Sequence, residues 1–385
     1  MEFIDLRQQY ARLKPKIQER INQVLEHGKF IMGPEVLELE KNLAAFAGAK
    51  YCVSCANGTD ALLLSLMAHD IRPGDAVFTT PFTFIASAEV ICLLGATPVF
   101  VDIDPGTYNI DPAKLEEAIL EIEQGTGRGA VGSKRLNPRA IIPVDLFGLP
   151  ADYDAINRIA KQRGFFVLED AAQSFGGGYK GKRVGNLADI AATSFFPAKP
   201  LGGYGDGGAI FTSDATMADR LRSLREHGKG SHKYDNVRIG INGRLDTLQA
   251  AILLPKLEIF DGELNARQEV AARYSNTFKG SMKIPSIPEG SLSAWAQYAL
   301  VVPGKRDCYL EELKKRGIPT AVYYPRPVHL QTAFAHLGYR KGDFPVAEDM
   351  SDRIFSLPMH PYLGPAEQDK IIEAVRETHQ AVMQR

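Results

Sequence analysis

Four cysteines in 385 residues are too few for a disulfide framework. Cys52 and Cys55 form a CxxC, but no second pair follows to complete a zinc site. Residues 51–56 have strand character, and residues three apart on a strand point to opposite faces, so the two sulfurs should diverge. Charge of one sign is also missing. The 45 Lys and Arg nearly cancel the 46 Asp and Glu, leaving a formal charge of −1. That balance gives no reason to expect nucleic acid or an acidic membrane as partner. No apolar run is long enough to span a bilayer. The opening Met1-Glu2-Phe3-Ile4-Asp5 has neither the basic nor the apolar stretch of a signal peptide, and the expected location is the cytoplasm. No GxGxxG follows an early strand with an acidic residue after it, which weighs against a nucleotide-binding oxidoreductase. Internal repeats and low-complexity tracts are absent.

What is present is the balance of an ordinary globular protein, 45% hydrophobic and 24% charged. The length exceeds one core, which predicts a large unit over 1–255 and a small one over 256–385. Through the first 215 residues short uncharged runs alternate with amphipathic patterns. Strands are expected at Ala76–Phe78, Pro98–Val101, Ile141–Val144 and Phe165–Leu168. Helices are expected over 84–94, 112–123 and 152–163. Such βαβ units build a mostly parallel sheet buried on both faces, with ligands beyond the carboxyl ends of its strands. Gly125 to Arg139, rich in glycine and basic residues, reads as an exposed loop without chemistry. A long helical pattern begins near Leu245 and is interrupted at Pro255. The second unit should hold a strand over 298–302, a helix over 306–316 and a C-terminal helix after Pro365.

The residues with the strongest chemical signal lie between 168 and 208. One apolar strand ends in Glu169-Asp170-Ala171-Ala172-Gln173-Ser174. A second stretch ends in Ser194-Phe195-Phe196-Pro197-Ala198-Lys199, followed by glycines at 202, 203, 205, 207 and 208. A carboxylate at the end of a buried strand must find a positive partner or shift its pKa. Pyridoxal phosphate (PLP) requires this pair of residue types: a lysine to condense with its aldehyde and an acid to keep its pyridine nitrogen protonated. A structural ion pair would account for Asp170 alone equally well. Asn57-Gly58-Thr59-Asp60 opens a helix after a strand and could bind phosphate on backbone N–H groups, or simply cap the helix. Phe84, after another strand, could stack on a flat ring or belong to the core.

With these residues the chain closely resembles the DegT/StrS family of PLP-dependent nucleotide-sugar aminotransferases. Matching stretches include Gly33-Pro34-Glu35-Val36, Asn57-Gly58-Thr59-Asp60-Ala61-Leu62, Thr83-Phe84-Ile85-Ala86, Glu169-Asp170-Ala171-Ala172-Gln173, Ser194–Lys199, Arg225-Glu226-His227-Gly228 and Gly240-Ile241-Asn242-Gly243-Arg244-Leu245-Asp246. The resemblance implies an α/β fold of fold-type I: a mostly parallel central sheet flanked by helices, with a smaller C-terminal α+β domain. It implies Lys199 as Schiff-base lysine and proton shuttle. Asp170 would sit on the ring nitrogen, Gln173 on the ring's phenolic oxygen and Phe84 on the ring face. Gly58, Thr59 and Ser194 would hold the phosphate. Asn242 would reach the phosphate of the neighbouring subunit, so a homodimer with shared sites is expected. Many relatives carry His or Ser where Asp145 stands, which puts the polar contacts around the substrate in question.

Relatives that dehydrate sugars replace the lysine by histidine, so Lys199 implies transamination. An amino donor, L-glutamate by expectation, would convert PLP to pyridoxamine phosphate, which then aminates a nucleotide-linked keto-sugar. Gly317–Pro325, His329, Gln331 and Leu357–Pro361 resemble members acting on UDP-linked 3-keto uronic acids. Arg244 would pair with the sugar carboxylate, and Tyr323, His329 and Gln331 would line the sugar. A 4-keto-6-deoxy sugar is the alternative substrate. A non-catalytic regulator on the same fold is a more remote one, opposed by the intact Asp170, Gln173, Ser194, Lys199 and Asn242. No metal is expected.

Overall fold

Seven strands make the main sheet: β1 (Tyr51–Cys55), β2 (Asp75–Thr79), β3 (Thr97–Phe100), β4 (Asn137–Ile141), β5 (Phe166–Asp170), β6 (Ile190–Ser194) and β7 (Gly208–Thr212). The computed structural model describes residues 1–126, 136–232 and 234–384. The strand order is β1-β7-β6-β5-β4-β2-β3. β7 runs antiparallel to both neighbours, and the remaining pairs are parallel. This is the expected mostly parallel sheet.

The two-residue period of the strands decides what covers each face. Ala76 and Phe78 join Val99, Ile141 and Val167 in a core closed by the helices Pro112–Gln124 and Tyr153–Arg163. Val77 between them turns the other way, to Ala140, Leu168 and Ile190 and the helices Gly58–Ala68, Ala86–Leu93 and Ala215–Arg225. The same alternation separates Cys52 from Cys55. Cys52 packs with Phe211 on one side and Cys55 with Val53 on the other, and all four cysteines are free. Aspartates start four of the described helices: the carboxylates of Asp5, Asp111, Asp152 and Asp214 each accept first-turn N–H groups.

Two local expectations are corrected. The strand expected at Ile141–Val144 lies earlier, at Asn137–Ile141. Pro138 is tolerated there because the pairing with β2 shifts register between Ala76 and Val77. Pro255 does not interrupt its helix. Thr247–Glu258 runs through it, and the break to the next helix, Phe260–Phe278, falls at Ile259. Buried Ala250, Leu253 and Leu254 hold that helix in place across the missing hydrogen bond. Residues 127–135 of the expected loop, with its basic Arg128, Lys134 and Arg135, lie outside the described residues, while 137–139 belong to β4.

A second core gathers Tyr274, Phe278, Tyr298, Leu300, Tyr309, Leu313, Phe355 and Val375. Its strands β8 (Tyr298–Val301) and β9 (Ile354–Leu357) pair antiparallel, with helices Arg306–Lys315 and Pro365–Met383 against them. The other face of β8, Ala299 and Val301, packs with Phe82, Phe100, Phe147, Val328 and Phe344. That shared cluster seats the second core beside the carboxyl ends of β2, β4 and β5, where the site lies.

Candidate active site

A cavity of about 850 Å³ opens at these strand ends. Most of its walls come from five places: the start of helix Gly58–Ala68, residues 83–87 after β2, residues 170–173 ending β5, residues 194–199 after β6, and residues 322–331. Gly58, Thr59, Phe84, Asp170, Gln173, Ser194, Lys199, Tyr323 and Gln331 all line it. Nine side chains or backbones chosen from the sequence are thus brought together from segments up to 273 residues apart (331 − 58).

Strand alternation selects which acid faces the cavity. Glu169 turns away, and its carboxylate accepts from the backbone N–H of Gly185 at 2.8 Å and of Leu187 at 3.1 Å. Asp170 faces in. Its Oδ2 accepts from the Ser87 hydroxyl at 2.7 Å, and Thr83 lies 3.0 Å from Ser87. Burial raises the Asp170 pKa, while Ser87, the Ala172 N–H and the Lys199 charge pull it back. Lys199 lies in the turn after β6, its N–H on Phe196 O at 2.9 Å. Burial lowers the pKa of its amine, with Asp170 acting in the opposite direction. An amine of reduced proton affinity beside a buried carboxylate suits nucleophilic and general-base work.

The orientation of Gln173 is fixed from behind. Phe147 N–H donates to its Oε1 at 2.8 Å, so the amide nitrogen faces forward and donates to the Tyr324 hydroxyl at 3.0 Å. At the far end Asn57 caps the helix by accepting from Asp60 N–H at 2.7 Å. That leaves the N–H groups of Gly58 and Thr59, which have no partner within the helix, for an anion. Gly58 must stay small: a methyl group on it would meet Ser194 Cβ at 2.7 Å.

Three predicted residues stand outside this cavity. Asn242 is exposed and does not line it. Arg244 is half-buried, also outside it, with Nε buried and unpartnered. His329 does not reach the sugar space at all. It is buried, bonds Glu348 through Nε2 at 3.1 Å and packs edge-on against Phe344. Its place is core structure, and burial lowers its pKa. Asp145, whose role the sequence leaves open, is fully buried behind Asp170 and does not line the cavity. Sequence reasoning missed Ser87, Tyr324, Asp206 and Gln297, all of which line the cavity. Tyr324 and Asp206 lay inside stretches already singled out; Ser87 and Gln297 carried no local signal.

A model of the DegT/DnrJ/EryC1/StrS aminotransferase family matches residues 11–376. The chain belongs to that family. It is 52% identical to the UDP-2-acetamido-2-deoxy-3-oxo-D-glucuronate aminotransferase of Pseudomonas aeruginosa, over 95% of this chain and 97% of that one. It is 42% identical to the dTDP-3-amino-3,6-dideoxy-alpha-D-galactopyranose transaminase of Aneurinibacillus thermoaerophilus, over 97% of this chain and 98% of that one. A crystal structure of a family aminotransferase from Brucella abortus superposes with a TM-score of 0.94 at 51% identity, covering 98% of this chain and 99% of that one. The chain is therefore a PLP-dependent aminotransferase. Its cavity fits that cofactor: a half-buried lysine and a buried acid face one space, and a helix start with a tight glycine lies at its end.

Proposed function

We propose that the enzyme transfers an amino group from L-glutamate to a UDP-linked 2-acetamido-3-keto uronic acid, with Lys199 as its covalent and proton-moving residue. The observation that carries this is the joint placement of Lys199, Asp170 and Gln173 on one cavity large enough for a cofactor and a sugar. Bound PLP supplies the electron sink for the carbon–hydrogen bond that must break. Lys199 Nζ takes that proton and returns it to the other carbon, for which its lowered pKa suits it. Asp170 holds the ring nitrogen protonated and the forward-facing amide of Gln173 donates to the phenolic oxygen. Phe84 covers the ring. Gly58, Thr59 and Ser194 hold the phosphate.

The sugar reading leans on two relatives, whose keto or amino group stands at carbon 3, in one of them on a UDP-linked uronate. Tyr323 and Gln331 contact the sugar from the second unit. The working form is a cytoplasmic homodimer. Asn242 and Arg244 stand outside their own cavity and serve the neighbouring one, Asn242 at the phosphate and Arg244 at the sugar carboxylate. Exposed apolar side chains such as Phe30, Ile31, Val237 and Ile239 give such a dimer something to bury. The product serves surface-polysaccharide synthesis, including lipopolysaccharide.

A panel of nucleotide keto-sugars with glutamate, read by mass spectrometry, tests the substrate. The UDP-3-keto uronate should be aminated with kcat/KM at least about tenfold above neutral sugars, the factor one charge-assisted pair supplies. Arg244→Lys keeps the charge but loses the planar fork. It should slow the sugar half-reaction and leave the glutamate half-reaction intact. Efficient turnover of 4-keto-6-deoxy sugars alone would replace this reading.

A further inference from the structure

Asp145 is a fully buried carboxylate that the proposed chemistry does not use. It follows β4 at the point where Val144 bridges Asp170 in parallel. The short turn Asp145–Phe147 contacts residues 170–174 three times. Asp145 N–H donates to Asp170 O at 3.1 Å. Phe147 N–H donates to Gln173 Oε1 at 2.8 Å. The Ser174 hydroxyl donates to Asp145 Oδ2 at 2.9 Å. The other carboxylate oxygen, Oδ1, is held by Ala151 N–H and by the Tyr153 hydroxyl, each at 2.9 Å. Ala151 and Tyr153 belong to the entry of helix Tyr153–Arg163, so the carboxylate links that entry to the segment carrying both ring-contacting groups. Phe147 holds a left-handed backbone, φ 59°, uncommon for a bulky residue and sustained only where surrounding contacts fix it.

We propose that Asp145 is a positioning residue for the cofactor: its carboxylate locks the turn that sets Asp170 and Gln173 against the ring. The inference rests on the reading of Asp170 and Gln173 as ring contacts. A serine hydroxyl at this place would be too short to bridge Ser174 and Tyr153 together.

The test uses the full-length holoenzyme. Asp145→Ala, Asp145→Asn and the milder Ser174→Ala and Tyr153→Phe are compared with wild type. Three quantities are read: PLP affinity, the pH midpoint of the bound cofactor's visible absorption, and the split between kcat and KM. Asp145→Ala should weaken PLP binding by about tenfold, the effect of losing one hydrogen bond to a charged group. It should also move the absorption midpoint and lower kcat, with KM for glutamate nearly unchanged. Ser174→Ala and Tyr153→Phe should shift the same quantities in the same direction by less, so the test survives if Asp145→Ala fails to fold. A purely structural role would lower Tm while leaving midpoint and PLP affinity at wild-type values in every folded variant, and that result overturns the inference. Asp170→Asn separates the two levels. If it leaves cofactor affinity and absorption unchanged, the reading of Asp170 falls. If it disables the cofactor while the Asp145 set is silent, the bracket alone falls.

Discussion

Asp145 and Asp170 are both buried acids, and their surroundings set them apart. Burial pushes the Asp145 carboxyl up to about 7, against the donors Ala151, Ser174 and Tyr153 and with Asp170 adding to the rise. A pKa raised above its ordinary 3.8 contributes stability that is fully present below about pH 4 and is lost as pH rises through about 7. The cofactor-free protein should therefore lose stability relative to Asp145→Asn between pH 5 and pH 8. The expected size is on the order of 2–4 kcal/mol, at 1.36 kcal/mol per unit. Urea unfolding of both proteins at the two pH values checks this; a difference that does not change with pH would refute it. Asp170 and Lys199 were legible in the sequence because each sits at the end of an apolar run, where burial forces a carboxylate or an amine to have a purpose. Ser87 was not legible. Nothing in Ile85-Ala86-Ser87-Ala88 says that a strand 83 residues further on will bring a carboxylate to within 2.7 Å. His329 misled for another reason: the resemblance implied a sugar contact, and only the fold reveals Glu348 beside it.

At the scale of elements, strands and helices followed from hydrophobic period and aspartate caps, and the errors fell where tertiary contacts override local preference. Pro138 stands in a strand at a register shift, and Pro255 stands inside a helix pinned by its buried neighbours. The junction of β1 and helix Gly58–Ala68 is the element most exposed to test. Gly58→Ala should leave the helix intact but force Ser194 aside, weakening PLP binding by about tenfold or more through a lost phosphate contact. An absorbance titration with PLP reads it, and unaltered affinity would remove Gly58 from the cradle. A second junction ties helix Ala215–Arg225 to helix Pro34–Ala47. Arg225 Nη1 donates to Glu40 Oε1 at 2.6 Å and to Ser54 O at 2.8 Å, with both charged groups buried. Arg225→Leu leaves Glu40 buried without its partner and should cost about 3–5 kcal/mol. Adding Glu40→Leu should recover part of that loss. Chemical unfolding of the single and double variants decides it; a single-variant loss under about 1 kcal/mol would contradict the account.

For the whole molecule, the parallel sheet and its covering helices were readable because both faces of each strand carry apolar residues. Only the resemblance implied that Asn242 stands outside the cavity of its own chain, and the same placement of Arg244 was not readable at all, since a single chain's periodicity says nothing about a neighbour. If the sites are shared, folded but inactive Lys199→Ala and Asn242→Ala chains should regain activity when mixed, because one site of each mixed dimer recovers both groups. A confirmed mixed dimer with no activity would count against sharing. Everything else depends on Lys199 being the residue that binds the cofactor covalently. Borohydride reduction of the PLP-loaded enzyme followed by peptide mapping tests that directly. The account predicts one modified peptide, with the cofactor fixed on Lys199 and none on Lys199→Ala. A label on another lysine, or a protein that takes up no PLP, would contradict it.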